Sequence, residues 1–133
     1  MFSKVDQIGI VVKDVEKSTS FYEKLLGTKS LPPIEFETGT AKLRVVFFQV
    51  GDVQLELIQV LEGETVHSKF LKERGEGLHH LGFFVTDLDK ELAALKREGI
   101  EVLLRSEALG VVKFAYLDTE ATLGIILELL QFG

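Results

Sequence analysis

Four polar side chains interrupt apolar runs of this 133-residue sequence in a matched pattern. Gln7 and His80 stand 73 positions apart, each followed by an apolar residue and then a glycine, in "QIG" and "HLG". Glu56 and Glu128 stand 72 positions apart, in "LELI" and "LELL". A carboxylate inside an apolar strand is costly unless it is paired or binds a cation. An amide oxygen, an imidazole nitrogen and two carboxylates form a hard-to-borderline donor set, suited to Zn, Ni, Co or Mn with waters completing the shell. The four residues together therefore predict one divalent metal site. Such a site suits proton abstraction beside a carbonyl: a Lewis acid stabilises the developing enolate oxygen, and a carboxylate takes the proton.

The elements that must position these residues come twice. "VDQIGIVVKDVEK" (Val5–Lys17) is echoed by "LHHLGFFVTDLDK" (Leu78–Lys90). In the first copy a strand is expected over Val5–Val12, then Asp14 as helix N-cap and a helix over Val15–Leu26, with apolar residues at Val15, Phe21, Tyr22, Leu25 and Leu26 and Gly27 as stop. "LPPIEFETGT" reads as a break with two prolines and a turn at Thr38-Gly39-Thr40. Strands Leu43–Val50 and Val53–Val60 follow, split by Gly51-Asp52 as a hairpin signal. In the second copy a strand over His79–Val85 precedes Asp87 as N-cap and a helix over Leu88–Glu98, with Leu92, Ala93 and Leu95 inward and Gly99 after it. Strands are expected near Val102–Leu104, Val111–Leu117 and Ile125–Leu130. Between the copies, "ETVHSKFLKERGEG" reads as a short helix leaving through glycine.

The fold class is therefore α+β, a strand, a helix and about three strands, repeated. Neither half, at about 60 residues, buries enough surface alone, so the two are expected to pack side by side into one curved sheet. Strand side chains alternate faces, so Glu56 points away from Leu55 and Leu57, while Gln7 shares a face with Gly9 and His80 with Gly82. A pseudo-twofold axis between the halves would gather Gln7, Glu56, His80 and Glu128.

Other chemistries find less support. The chain has no cysteine, which removes disulfides and thiolate nucleophiles. No serine lies in a nucleophile elbow, and no glycine pattern forms a phosphate loop. His79 faces away from His80 and reads as structural or as a hydrogen-bond support for a ligand. His67 lies in the polar connector, where exposure is expected. The charges of the second helix read as a solvated face. A net charge of −6 argues against nucleic acid as a partner, and no apolar run reaches the ~18 residues of a membrane span. A cytoplasmic domain acting on a small molecule is the expectation.

With these residues in place, the sequence resembles the vicinal oxygen chelate superfamily, the glyoxalase and epimerase group, over essentially its whole length. "FLKERGEGLHHLGFFV" is most similar to methylmalonyl-CoA epimerases. The resemblance implies a single domain of two tandem βαβββ modules (about 3–62 and 78–133, connector about 63–77). These would form a cup-like mixed sheet with helices on the outer face, around one divalent metal, in a homodimer. It places Gln7, Glu56, His80 and Glu128 on the family's ligand positions, with Glu128 as ligand and base and Glu56 as its partner. It implies an acyl-CoA thioester substrate, with Lys69, Lys72, Arg74 and Arg105 as candidate phosphate contacts. Epimerases generally carry histidine where this chain has Gln7, and "ALGVVKFAYLDTEATLG" departs from their glycine-rich approach to the last strand. Glyoxalase I enzymes use glutamine at the first position in some cases. However, they place arginine and asparagine for glutathione where this chain has Val11 and Val60. A glyoxalase-type lyase and a metal-free binding or resistance protein are the alternative readings.

Overall fold

The computed structural model describes Phe2 and Lys4–Gly133. Its contacts divide the chain into two compact units, Gln7–His79 and His80–Gly133, the second including the residues that precede Gln7.

In the first unit, β1 (Gln7–Val11) leads to α1 (Val15–Leu26), then β2 (Ile34–Glu37), β3 (Ala41–Val50), β4 (Val53–Gly63) and α2 (Val66–Arg74). The strand order is β2-β3-β4-β1, with β4 and β1 parallel and the other pairs antiparallel. Helix α1 starts where the Asp14 carboxylate accepts the N–H groups of Glu16 and Lys17 at 3.1 and 3.2 Å. The Val15 N–H donates to Oε1 of Gln59 at 2.9 Å, so the last long strand caps the helix that packs behind it. Gly27 ends the helix at φ 66°, a left-handed conformation that a Cβ would penalise. The turn between β3 and β4 falls at Gly51-Asp52, as expected, with Gly51 at φ 59°.

In the second unit, β5 (Gly77–Phe84, beginning in the first unit) leads to α3 (Leu88–Arg97), β6 (Val102–Ala108), β7 (Val112–Leu117), α4 (Glu120–Leu123) and β8 (Ile126–Phe132). The order is β5-β8-β7-β6, again with one parallel pair, β5 with β8. The capping device repeats: Asp87 accepts from the Lys90 N–H, and Gln131 Oε1 accepts from the Leu88 N–H at 2.8 Å.

Each unit is thus a βαβββ arrangement, the class expected. In both, the helix lies on the sheet face opposite the glutamate. Val15 and Tyr22 pack with Leu55 and Leu57, and Leu88, Leu92 and Leu95 with Leu127 and Leu129. The opposite face of the first unit has its own apolar cluster, Ala41, Leu43, Val45 and Ile58 with Ile34, Phe36, Phe47 and Val60.

Three readings change. Ile34–Glu37, expected as a break, is an edge strand paired with β3, because Pro32 and Pro33 stop short of it. On α1, Phe21 and Leu25 are 64% and 67% exposed, since only the Val15–Tyr22 side of the helix meets the sheet. Ala93 is exposed rather than inward, one position off the Leu88–Leu92–Leu95 stripe.

Candidate metal centre

The parallel pair in each unit sets the same three-residue geometry. In the first, Gly9 lies opposite Glu56 and Gln7 opposite Gln54, so Gln7 and Glu56 share a face two register positions apart. In the second, Gly82 lies opposite Glu128 and His80 opposite Ile126, which puts His80 and Glu128 on one face in the same way. The glycine that follows each first-strand polar residue leaves the adjoining strand position without a side chain, and the glutamate occupies that side. A third strand closes each arrangement with an aromatic ring: Phe47 opposite Glu56, Tyr116 opposite Glu128.

His80 and Glu128 are brought together. Nε2 of His80 lies 3.2 Å from Oε1 of Glu128, with side chains 0% and 4% exposed. The His80 ring rests against Tyr116, centroids 5.0 Å apart. In the first unit Gln7 is buried, and its Nε2 donates to Oε1 of Gln54 at 3.2 Å. Its own Oε1 is buried with no hydrogen-bond partner among the described residues. Glu56 is half-buried on the same face. A buried amide oxygen without a donor is an environment in which a cation replaces a missing hydrogen bond, and a buried imidazole nitrogen beside a carboxylate offers further donor atoms. The donor chemistry fits a divalent ion. Among the described residues no group of three or more His, Asp or Glu side chains is arranged to hold a metal.

The other histidines differ from expectation in one respect. His79 does face away from His80, but His67 is buried, 3% exposed, not at the surface. Its ring lies 4.8 Å from that of His79, and the edge of Phe70 meets His79 at 5.1 Å, so α2 is pinned to the start of β5 by three rings. Of the candidate phosphate contacts, Arg105 is engaged by Asp89, and Arg74 lies over the Phe70 ring at 5.9 Å. Lys69 and Lys72 are exposed on α2. No described helix is long and apolar enough to cross a membrane.

Two features of the layout escaped the sequence. Asp6, only 6% exposed, accepts the Phe84 N–H at 2.8 Å and sends its own N–H to the Gly82 carbonyl at 2.9 Å, clamping the chain before β1 onto β5. Gln59 and Gln131, the helix caps, are legible only as the recurring residue after "LELI" and "LELL".

Comparison with known proteins gives the family and the fold. The profile of the Glyoxalase/Bleomycin resistance protein/Dioxygenase superfamily matches residues 6–116. The chain is 34% identical over 131 residues to the uncharacterized protein YqjC of Bacillus subtilis, covering 97% of this chain and 92% of that one. It is 26% identical over 132 residues to the mitochondrial methylmalonyl-CoA epimerase of Bos taurus, covering 96% and 74% of the two chains. A variant of the Streptomyces coelicolor methylmalonyl-CoA epimerase in complex with 2-nitronate-propionyl-CoA shares the fold, with a TM-score of 0.84 at 22% identity over 100% of this chain and 96% of that one.

Proposed function

The chain belongs to the glyoxalase/bleomycin resistance protein/dioxygenase superfamily, and from that premise we propose that it is a divalent-metal-dependent epimerase or isomerase. It removes a proton next to a carbonyl, and its substrate is a 2-substituted acyl-CoA thioester of the methylmalonyl type. The observation that carries the reading is the buried His80–Glu128 pair, repeated in outline by Gln7 and Glu56. Epimerases among the relatives support the substrate class. Val11, fully buried, offers no cation for glutathione, which speaks against the lyase alternative.

The divalent ion would be held by Gln7, Glu56, His80 and Glu128, and when bound it supplies Lewis-acid stabilisation of negative charge on the substrate's carbonyl oxygen. The chain's own residues do the rest. Gln7 and His80 would contribute neutral donors, and Glu56 and Glu128 the negative charge. Glu128, seated between the side-chain-free position of Gly82 and the Tyr116 ring, is 3% exposed and so held out of bulk water. A carboxylate so placed would accept the α-proton without reorganising solvent, and the epimer forms when the planar carbon takes a proton back on its opposite face. Glu56, flanked by Gly9 and Phe47, is the corresponding group of the other repeat and the second candidate base.

Glu128→Ala tests the assignment. Turnover of methylmalonyl-CoA should fall by at least about 10²–10⁴-fold, and the metal retained after purification should fall with it. A variant with wild-type turnover removes Glu128 from the site.

A further inference from the structure

We infer that Tyr116 is a positioning residue for the His80–Glu128 pair, its ring fixing the plane of the His80 imidazole. The inference rests on the reading of that pair as metal ligands. A histidine ring turns about χ2 in a broad, roughly two-fold well, so burial alone does not decide which ring edge a ligand nitrogen presents. Glu128 Oε1, 3.2 Å from Nε2, meets one edge of the ring, and the plane of the ring depends in addition on what packs against its faces. On β5 the neighbour along the same face is Gly82, which has no side chain, and Ile126 stands opposite His80 on β8. The His80 ring packs against that of Tyr116, centroids 5.0 Å apart and planes at 53°. Tyr116 is itself 3% exposed and is braced by Phe114 at 5.7 Å on the same strand face, while its register places it directly opposite Glu128. One ring therefore touches one proposed ligand and borders the other.

The repeat carries a ring at the same place, although its matched first-strand residue is Gln7 and not a histidine. Phe47 holds the position opposite Glu56 that Tyr116 holds opposite Glu128. An aromatic ring is common to both, and the hydroxyl is not. The ring is thus the part assigned to positioning. Groups that orient metal-binding histidines commonly change metal affinity by 10–100-fold when removed.

The test uses Tyr116→Phe, which keeps the ring, against Tyr116→Leu and Tyr116→Met, which remove it at two different volumes, with thermal melts to establish that each folds. Two readouts are needed: Co²⁺ and Zn²⁺ affinity by competition with a chelator, and the imidazole NMR resonances of His80 in metal-stripped protein. Tyr116→Phe should bind within about threefold of wild type and keep one sharp set of His80 signals. The ring-less variants should lose about 10–100-fold in affinity and show broadened or doubled His80 signals. Unchanged His80 signals in a folded ring-less variant overturn the inference, as does a Tyr116→Phe loss equal to the ring-less loss. Wild-type protein that binds neither metal instead defeats the metal reading, and the metal-free His80 signals then still decide whether Tyr116 positions the ring.

Discussion

Replacing Asp6 with alanine should cost the protein about 2–3 kcal/mol, because one carboxylate oxygen holds a backbone donor of β5 away from water. Asp6 is 6% exposed, and its Oδ2 accepts the Phe84 N–H at 2.8 Å. A hydrogen bond to a charged acceptor contributes about 1.5–3 kcal/mol, and its removal strands the donor. The second interaction is weak by comparison. Lys4 Nζ lies 3.2 Å from Oδ1, but the lysine side chain is 61% exposed, so solvent screens the pair to a few tenths of a kcal/mol, roughly. Three variants separate these contributions. Asp6→Ala should carry the full loss, Asp6→Asn about 1 kcal/mol because an acceptor oxygen remains, and Lys4→Ala less than about 0.5 kcal/mol. In urea, with m of about 1.5–2 kcal/mol/M for a chain of this size, the Ala variant's midpoint should drop by about 1–2 M. A Lys4→Ala loss as large as that of Asp6→Ala would show that the ion pair, not the buried hydrogen bond, does the holding. An Asp6→Ala midpoint within error of wild type would refute the clamp altogether.

Two other outcomes follow from the same physics. Gln59→Ala and Gln131→Ala should each cost about 1 kcal/mol by uncapping the first N–H of α1 and α3, measured by chemical denaturation; losses in only one of the two would break the structural equivalence of the repeats. The Glu35 carboxyl is held below its usual 4.5, chiefly by its hydrogen bond from Arg44. Its folded value lies below its unfolded one, so the stability it contributes is present above 4.5 and is lost as pH falls through the depressed folded value. Wild type and Glu35→Gln should therefore differ in melting temperature at neutral pH and converge in acid, with added salt narrowing the neutral difference; a gap that widens in acid contradicts this.

Much of this molecule is legible in its sequence because the repeat doubles every signal. Asp14 and Asp87 mark both helix starts, and Val15–Leu26 is bounded as the spacing predicts. Gln7, Glu56, His80 and Glu128 stand out because each polar residue interrupts an apolar strand at a matched position, and the register gives each glutamate a glycine neighbour. What stayed hidden depends on tertiary contact. The edge strand Ile34–Glu37 alternates correctly but sits beside two prolines and meets only β3, so local signals favour a break. α4 spans only Glu120–Leu123, too short for helical periodicity to register. The outward Phe21 and Leu25 have the spacing of a core stripe, and only the packing of Val15 and Tyr22 shows which side of α1 is buried. His67 sits among polar residues in the chain, and its buried ring packs against that of His79, 12 positions further on. Tyr116 carries no sequence signal as a neighbour of His80, since β7 and β5 are brought together only through β8.

The most direct test of the proposed chemistry is deuterium incorporation at C2 of methylmalonyl-CoA in D2O, with metal-loaded protein compared with the same protein stripped of metal. The account predicts rapid exchange that depends on the metal and is lost in Glu128→Ala. A fully loaded protein that leaves the C2 proton in place contradicts it.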